Sequence, residues 1–370
     1  MRVGQNAYRG CLLGLAVGDA MGYTVDSRTL AEIREDYGPN GLLGYDLVNG
    51  YAEISSYTQI GAFTCNGLLL GITRGQMKGQ MAPYVKYAAL ALREWAVSQR
   101  AWGRPERTFC WLLTQPEICR RHCMDTRMLE NLCRDPRRYP LGTPEEPKNR
   151  YANPGSLTAA VAVGLFFDPD RMEQQEIDYL GAEAVALNHG SPLAFLTGAA
   201  LAHLTSRVVR RPNVSFRLAV KETLDTMKER FGPKYSQTYE LCTLVSLAMQ
   251  LCDNPTLTPT TVMERLKCES AAEVLAGAVY AILAGGGDFD ASLIIAVNHS
   301  GRSAAVGAIT GALLGARLGE TALPSFYIDC LEPGEVLREL ADDMYHGCPM
   351  DMGSRLFDLD WDRKYLHGGR

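Results

Sequence analysis

The sequence lacks the short motifs that identify several common enzyme classes. Its 370 residues contain no HExxH, Walker A or GxGxxG pattern, so they give no sign of a zinc protease, a P-loop nucleotidase or a dinucleotide-binding fold. No Ser/His/Asp triad can be assembled from spacing alone. Strand-like alternation bounded by turn residues is also scarce, which argues against a β-sheet protein.

A long apolar run and an export signal are absent as well. The apolar, charge-free stretch from Ser303 to Ala316 has 14 residues, short of the ~18 that are needed to span a bilayer. The N-terminal sequence MRVGQNAYRG shows no signal-peptide pattern. With 46% hydrophobic and 21% charged residues, the composition is typical of a globular protein. We therefore expect a cytoplasmic protein with no membrane partner.

The cysteine pattern argues against both disulfides and structural zinc. The chain has 11 cysteines, an odd number, and no CxxC pair. Cys119 and Cys123 flank His122, but no second pair of ligands follows at zinc-finger spacing. We therefore expect free thiols, as is usual inside the cell.

The net charge of −5 makes nucleic acid an unexpected partner for the whole chain. One local exception is a basic run from Cys119 to Tyr139. It has few interleaved aromatic residues, so a solvated helix and loop, or a contact for an acidic protein, is a better interpretation than a nucleic-acid surface. Its arginines are Arg120, Arg121, Arg127, Arg134, Arg137 and Arg138.

Apolar residues recur with helical spacing along most of the chain. Proline and glycine separate these segments, and the proline-rich stretch from Asp135 to Asn153 is the best candidate for a long loop. We predict an all-α protein with one compact domain over residues 1–370 and no interdomain linker. The predicted helices cover residues 81–98, 156–167, 181–207, 215–231, 238–252, 271–285 and 303–318.

Glycine recurs every fourth residue in two separate segments. The first set is Gly10, Gly14, Gly18 and Gly22, and the second is Gly307, Gly311, Gly315 and Gly319. On a helix such glycines share one face, and each costs ~1 kcal/mol of helix propensity relative to alanine. One interpretation is close helix packing in the core. The stronger hypothesis is that these two helices meet each other and that their ends line one site.

Several segments together resemble the ADP-ribosylglycohydrolase family. They are RGCLLGLAVGDAMG at 9–22, AVALNHGSPLAF at 184–195, EVLAGAVYA at 273–281 and AVNHSGRSAAVGAITGALLGARLG at 296–319. The order and spacing match over about residues 5–345, which leaves a C-terminal tail at 346–370. The resemblance implies a compact all-α domain with a central magnesium cleft. It also implies hydrolysis of the glycosidic bond between ADP-ribose and a protein side chain, with two Mg²⁺ ions.

The carboxylates that this resemblance requires are missing. The family's first acidic motif aligns with Ser55 to Thr58, where Ser56 and Tyr57 replace two aspartates. The second aligns with Arg302 to Ala305, where Arg302 and Ala304 replace two more. Since Mg²⁺ takes oxygen ligands, chiefly carboxylates, we expect no cofactor, or at most one weakly bound Mg²⁺.

Other positions of the family cleft are kept in part. Asp26 stands where the family usually has a glutamate, and Asp19 occupies a place that is largely structural in the family. The family's Met, Arg and Pro places near residue 160 hold Thr158, Ala159 and Ala162. Asp26 is our candidate catalytic residue. The candidate ligand-binding residues are Asp19, Ser55, Ser56, Tyr57, Gly155, His189, His299, Arg302 and Ser303.

Both histidines follow an apolar helix and an asparagine, in turns where a structural role is the more common one. Arg302 is open to three interpretations. It repels metal and pairs with Asp26 or Asp19, it clamps the diphosphate of a ligand, or it points into solvent.

Three functional hypotheses follow. The first is a pseudoenzyme that binds ADP-ribose, an ADP-ribosylated protein or another protein. The second is an active hydrolase in which Asp26 acts as general base and Arg302 replaces metal charge. The third is a structural, crystallin-like protein. The oligomeric state stays open.

Overall fold

The computed structural model describes residues 4–79, 83–100, 108–123, 125–135, 137–353 and 356–369. Helices dominate this part of the chain, and its extended pairing is confined to two isolated bridges, Val48 with Tyr51 and Ala52 with Leu331. The protein is therefore an all-α, single compact helical domain, as the sequence predicts.

The α-helices, numbered in chain order, are α1 Gln5–Tyr23, α2 Leu30–Tyr37, α3 Ser56–Lys78, α4 Tyr84–Ser98, α5 Thr126–Cys133, α6 Leu157–Phe166, α7 Gln174–Ala186, α8 Pro192–Arg210, α9 Phe216–Arg230, α10 Gln237–Cys252, α11 Pro259–Leu266, α12 Ala271–Ala284, α13 Phe289–Val297, α14 Ser303–Leu318, α15 Ser325–Asp329, α16 Gly334–His346 and α17 Leu359–Leu366. Short 3₁₀ turns lie at Trp111–Thr114, Pro116–Ile118 and Glu320–Ala322.

Helices α1 and α14 pack directly against each other at the centre of the domain, backbone to backbone. Gly10 faces Gly315, Gly14 faces Gly311, and Gly18 faces Gly307. A methyl group added to any of these glycines would lie within 2.3 Å of a carbonyl oxygen on the opposite helix. The hypothesis that the two glycine-rich helices meet is confirmed, and it explains why the propensity cost of glycine is tolerated there.

The antiparallel pairing of α1 and α14 brings the end of α1 beside the start of α14. Gly22, in the last turn of α1, lies against Ser303, where α14 begins. This junction fixes the position of the residues that follow α1 and of those that precede α14. The N-terminal and C-terminal segments that resemble the family, 9–22 and 296–319, therefore meet at one place in the fold.

Most predicted helices agree with the structure within two residues, and α14 agrees at both ends. The predicted helix at 181–207 is wrong. The chain turns at Leu187–Ser191, and α8 begins at Pro192, since proline fits the first turn of a helix but not its interior. Residues 81 and 82 of another predicted helix lie outside the described residues, and α4 begins at Tyr84. Helix α3 was not predicted.

The proline-rich segment from Asp135 to Asn153 is irregular wherever it is described, as expected; Pro136 lies outside the described residues. All 11 cysteines are free thiols, which confirms that prediction. In the C-terminal tail, α17 packs back onto α3, where the Trp361 indole N–H donates to the Thr73 hydroxyl at 2.9 Å.

Among the described helices, α8 is long and apolar enough to cross a membrane by length and composition. However, 83% of its apolar window is buried inside the protein. This burial is what a central helix of a globular core shows, so the feature is weak evidence for a membrane span.

Candidate functional site

A cavity of about 320 Å³ opens where the end of α1 meets the first turns of α3, α5 and α14. The loop before α6 closes another side. Partial positive charge at helix starts favours polar or anionic ligands in such a place. Of the residues singled out in the sequence, its wall includes Asp26, Ser55, Ser56, Tyr57, Gly155, Arg302 and Ala304.

Asp26 lies on the cavity wall beside the start of α14. Its Oδ1 accepts the backbone N–H of Ala304 at 3.1 Å, and its Oδ2 accepts the hydroxyl of Ser27 at 3.4 Å. Burial raises the pKa of Asp26, while the Ala304 amide and the charge of Arg302 oppose that rise. Asp26 is therefore a carboxylate with a hydrogen bond at each oxygen, on the wall of a polar cavity.

Arg302 also lies on the cavity wall, with 41% of its side chain exposed. Its Nε donates to Glu269 Oε2 at 3.1 Å, and its Nη1 donates to the Ser27 hydroxyl at 3.3 Å. The ion-pair partner of Arg302 is therefore Glu269, and the interpretation in which Arg302 pairs with Asp26 or Asp19, one of three that were open, is wrong.

Asp19 is fully buried and holds the start of α3. Its carboxylate accepts four hydrogen bonds, from the backbone N–H and the hydroxyl of Ser55 and of Thr58, at 2.5–3.0 Å. Burial raises the pKa of Asp19 to about 6, although these four bonds oppose the rise. The geometry gives Asp19 a structural role, because its oxygens are occupied and it does not line the cavity.

The wall next to Asp26 is formed by the first turn of α3. Ser55 precedes this helix and caps it by accepting the N–H of Tyr57 at 3.2 Å. The Tyr57 phenol lines the cavity, and its hydroxyl has no hydrogen-bond partner in the part of the chain that the structure describes. Burial raises the pKa of Tyr57 well above its ordinary value, so its hydroxyl stays neutral.

His189 supports the cavity wall from behind. Its Nε2 lies 2.7 Å from Asn153 Oδ1, an acceptor, so that nitrogen carries the proton. Its Nδ1 lies 2.8 Å from the hydroxyl of Ser156. The ring is fully buried, and burial lowers the pKa of His189 to about 4. His189 therefore shapes the loop that carries Asn153 and Gly155, and it does not face the cavity.

His299 has an equivalent role on the opposite side. Its Nε2 donates to the carbonyl of Ala296 at 2.9 Å, and its Nδ1 accepts the N–H of Gly301 at 2.9 Å. Burial lowers its pKa to about 4. Ser303 is buried too, and its hydroxyl donates to the His299 carbonyl at 3.3 Å. Neither residue lines the cavity.

The structure adds six residues to the cavity wall that sequence reasoning did not select. Tyr23 and His122 form an edge-to-face pair, with the Tyr23 hydroxyl 3.4 Å from His122 Nδ1. Burial lowers the pKa of His122. In the sequence, His122 was considered only as a zinc ligand between Cys119 and Cys123, and that interpretation was disfavoured because no second pair of ligands follows. The full set is Tyr23, His122, Asp125, Met128, Asn153 and Pro154.

Larger cavities lie elsewhere, for example one of about 440 Å³ between α8 and α9. Its wall carries arginines of α8 and carboxylates of α9, and one cross-helix ion pair joins Arg207 to Glu222. We place the candidate site in the smaller cavity because the segments that resemble the family motifs converge there.

The donors of the candidate site do not fit a pair of magnesium ions. Asp26 and Asp125 are the carboxylates on its described wall, and each has one oxygen bound to a helix N–H, from Ala304 and Met128 respectively. No group of three or more His, Cys, Asp or Glu side chains among the described residues is placed to hold a metal ion. The guanidinium of Arg302 adds positive charge to the same wall, which opposes cation binding.

Comparison with known proteins agrees on the fold. A family model described as ADP-ribosylglycohydrolase matches residues 3–353. No curated protein matches the chain. Among solved structures, 47 chains match, including an ADP-ribosylglycohydrolase-related protein complex that is 22% identical. That alignment has a TM-score of 0.56 and covers 92% of this chain and 98% of the other. At this identity the likeness shows the fold alone.

Proposed function

The chain belongs to the ADP-ribosylglycohydrolase family, and from that premise we propose that it is a pseudoenzyme, a non-hydrolytic member that binds an ADP-ribose-type ligand. The ligand is free ADP-ribose or ADP-ribose attached to a protein. No cofactor is part of this proposal beyond, at most, one weakly held Mg²⁺.

One observation carries the proposal. The four places at which the resemblance requires aspartates lie together on the wall of a single cavity, where the side chains are Ser56, Tyr57, Arg302 and Ala304. These residues supply a hydroxyl, a phenol, a guanidinium and a methyl group. A pair of divalent ions needs several negatively charged oxygen ligands, and this set supplies none.

The helices and turns that surround the cavity are kept, which favours a binding function over loss of all function. The paired glycine helices hold the cavity open at their junction, and Asp19, His189 and His299 order the surrounding turns. A polar cavity that is built in this way, with hydroxyl, amide and guanidinium groups on its wall, can still recognise a polar ligand.

Isothermal titration tests the proposal. We expect the wild type to bind ADP-ribose in the presence of a chelator and to show no tight two-site binding of Mg²⁺. Arg302→Ala is expected to weaken ADP-ribose binding. Arg217→Ala is the matched control, since Arg217 is also 41% exposed and paired with a carboxylate, Asp253, far from the cavity. Tight binding of two Mg²⁺ ions would contradict the proposal.

A second function, metal-independent hydrolysis, is favoured by one observation. Asp26 lies on the cavity wall with a raised pKa, and a positioned carboxylate can act as general base in glycosidic cleavage. Release of ADP-ribose from ADP-ribosylated arginine or serine peptides by the wild type, lost in Asp26→Asn, would establish this second function instead.

A further inference from the structure

The guanidinium of Arg302 is held at two of its three nitrogens. Nε donates to Glu269, and Nη1 donates to Ser27. Both partners are exposed and come from separate loops, one after α1 and one before α12. Neither lines the cavity, and we call the exposed edge that Arg302 forms with them the rim of the cavity. Nη2 has no acceptor within the described ranges of the chain. The arginine therefore presents one unoccupied N–H edge from a fixed position on the cavity wall.

The backbone around this arginine is strained. Four non-glycine residues in the described chain have a positive φ, and three of them adjoin the contacts of Arg302. Ser27 has φ 63°, while Lys267 and Cys268, which directly precede Glu269, have φ 62° and 55°. Such conformations are energetically unfavourable and persist where the surrounding structure enforces them, often at ligand sites.

Tight packing between two turns enforces this strain. The backbone N–H of Arg302 donates to the carbonyl of Cys268 at 2.9 Å. A methyl group on Gly301 would lie 2.2 Å from the carbonyl of Lys267. The turn before α12 and the turn before α14 are thus locked together, and this contact brings Glu269 within reach of Arg302.

We propose that the rim of the cavity is an anion subsite, in which Arg302, oriented by Glu269 and Ser27, donates its free edge to a phosphoryl group of the ligand. Glu269 is a positioning residue in this subsite. The inference rests on the proposed function, because it specifies which part of an ADP-ribose-type ligand meets Arg302.

Glu269 does not cancel the charge of Arg302. The two side chains are 55% and 41% exposed, and an ion pair at that exposure is strongly screened by water. What Glu269 supplies is orientation, because a guanidinium that is already held loses less conformational entropy when it binds a ligand. Asp26 and Asp125 on the inner wall repel anions, which confines the phosphoryl group to the rim.

Two variants of Glu269 separate orientation from charge. Both Glu269→Gln and Glu269→Ala remove the negative charge, but only glutamine keeps an oxygen that can accept from Nε. We expect ADP-ribose to bind Glu269→Ala about two- to tenfold more weakly than Glu269→Gln, from the cost of ordering one arginine side chain. Inorganic pyrophosphate, titrated in parallel, is expected to show the same order.

The controls keep failure of the subsite distinct from failure of the proposed function. Asp253→Ala, which removes the matched partner of Arg217, is expected to leave both ligands unaffected. If the wild type binds ADP-ribose but the two Glu269 variants bind equally well, the subsite is overturned and the proposed function stands. If the wild type binds neither ligand, both are overturned.

Thermal melting checks that each variant is folded. If Glu269→Ala does not fold, Ser27→Ala replaces it, because that change removes the Nη1 contact of Arg302 while its Glu269 contact stays, although it also removes the hydroxyl that donates to Asp26. ADP-ribose binding that is weaker in Ser27→Ala than in the wild type supports the subsite, and equal binding overturns it.

Discussion

Gly14 and Gly311 face each other across α1 and α14 so closely that a methyl group on Gly14 would lie 2.2 Å from the carbonyl oxygen of Gly311. No rotamer change can relieve this contact, because both partners are backbone. The cavity lies at the end of the same helix pair, beyond Gly22 and Ser303. The spacing of the two helices therefore determines both the stability of the domain and the width of the site.

We expect Gly14→Ala to destabilise the protein by about 3 kcal/mol or more, despite the better helix propensity of alanine, because the two helices must separate. Urea unfolding measures this loss. Gly44→Ala is the control, since nothing lies within 4 Å of a methyl group at that position. A Gly14→Ala variant as stable as the wild type would contradict the close pairing.

We expect Asp19→Asn to lower the free energy of unfolding by roughly 2–4 kcal/mol, because an amide cannot accept the four hydrogen bonds that Ser55 and Thr58 donate. The start of α3 would lose its anchor. The side-chain N–H2 group of the new asparagine would also face some of these donors, where two donors repel each other. Chemical denaturation measures the effect. The exposed Asp253 offers the comparison variant Asp253→Asn, for which a change below about 0.5 kcal/mol is expected.

The two buried histidines make stability depend on pH. Burial lowers the pKa of His189 and of His299 from 6.5 to about 4 in the folded state. The unfolded chain therefore binds more protons between these values, and each histidine removes up to about 3 kcal/mol of stability as the pH falls from 6.5 to 4. Asp19 acts in the opposite direction, because its pKa is raised from 3.8 to about 6.

The contribution of His189 can be isolated by difference. We expect His189→Gln to be less stable than the wild type at pH 7.0, since its two hydrogen bonds are disturbed, but to lose less stability on acidification. Denaturant midpoints between pH 7 and pH 4 measure this difference. His367→Gln, at a largely exposed position, is expected to follow the wild-type curve. Parallel curves for His189→Gln and the wild type would refute the assignment.

The sequence predicted the helix pair well and the cavity wall only in part. Glycine every fourth residue has a steric meaning that needs no knowledge of the fold, so α1 and α14 could be paired in advance. Helix α3 was missed because most of its residues are buried and its apolar positions do not form one stripe. The helix predicted over 181–207 ran through the turn at Leu187–Ser191 because apolar residues continue on both sides of it, although the Asn188-His189 pair had separately indicated a turn there.

His122 and Asp125 could not be found from the sequence for a different reason. They lie in an irregular segment, where side-chain direction follows tertiary packing and not a repeating pattern. Asp19 shows the converse. It stands in a family motif, yet the structure commits all of its hydrogen bonds to α3. A motif position can therefore identify a residue as important without showing whether that residue binds a ligand or supports the fold.

Returning carboxylates to the four substituted places should restore affinity for divalent cations. We expect the variant Ser56→Asp, Tyr57→Asp, Arg302→Asp and Ala304→Asp to bind Mg²⁺ measurably by isothermal titration, since four oxygen ligands replace neutral and cationic groups on one wall. Arg302→Asp alone is the control and is expected to bind more weakly than the full variant. Failure of a folded full variant to bind would show that these places do not form a cation site.

Asp26→Asn separates the two candidate functions, because the binding function predicts a change in ligand affinity and the hydrolytic function predicts a loss of turnover. If the cavity binds a phosphoryl group beside Arg302, the Asp26 carboxylate repels that group, and its neutral replacement tightens ADP-ribose binding by about two- to fivefold. If Asp26 is a general base, the same change abolishes turnover of ADP-ribosylated peptides. We expect tighter binding and no turnover in either protein, measured by titration and by release of ADP-ribose. Asp253→Asn, outside the cavity, should change neither quantity. Turnover by the wild type that disappears in Asp26→Asn would replace the binding function with hydrolysis.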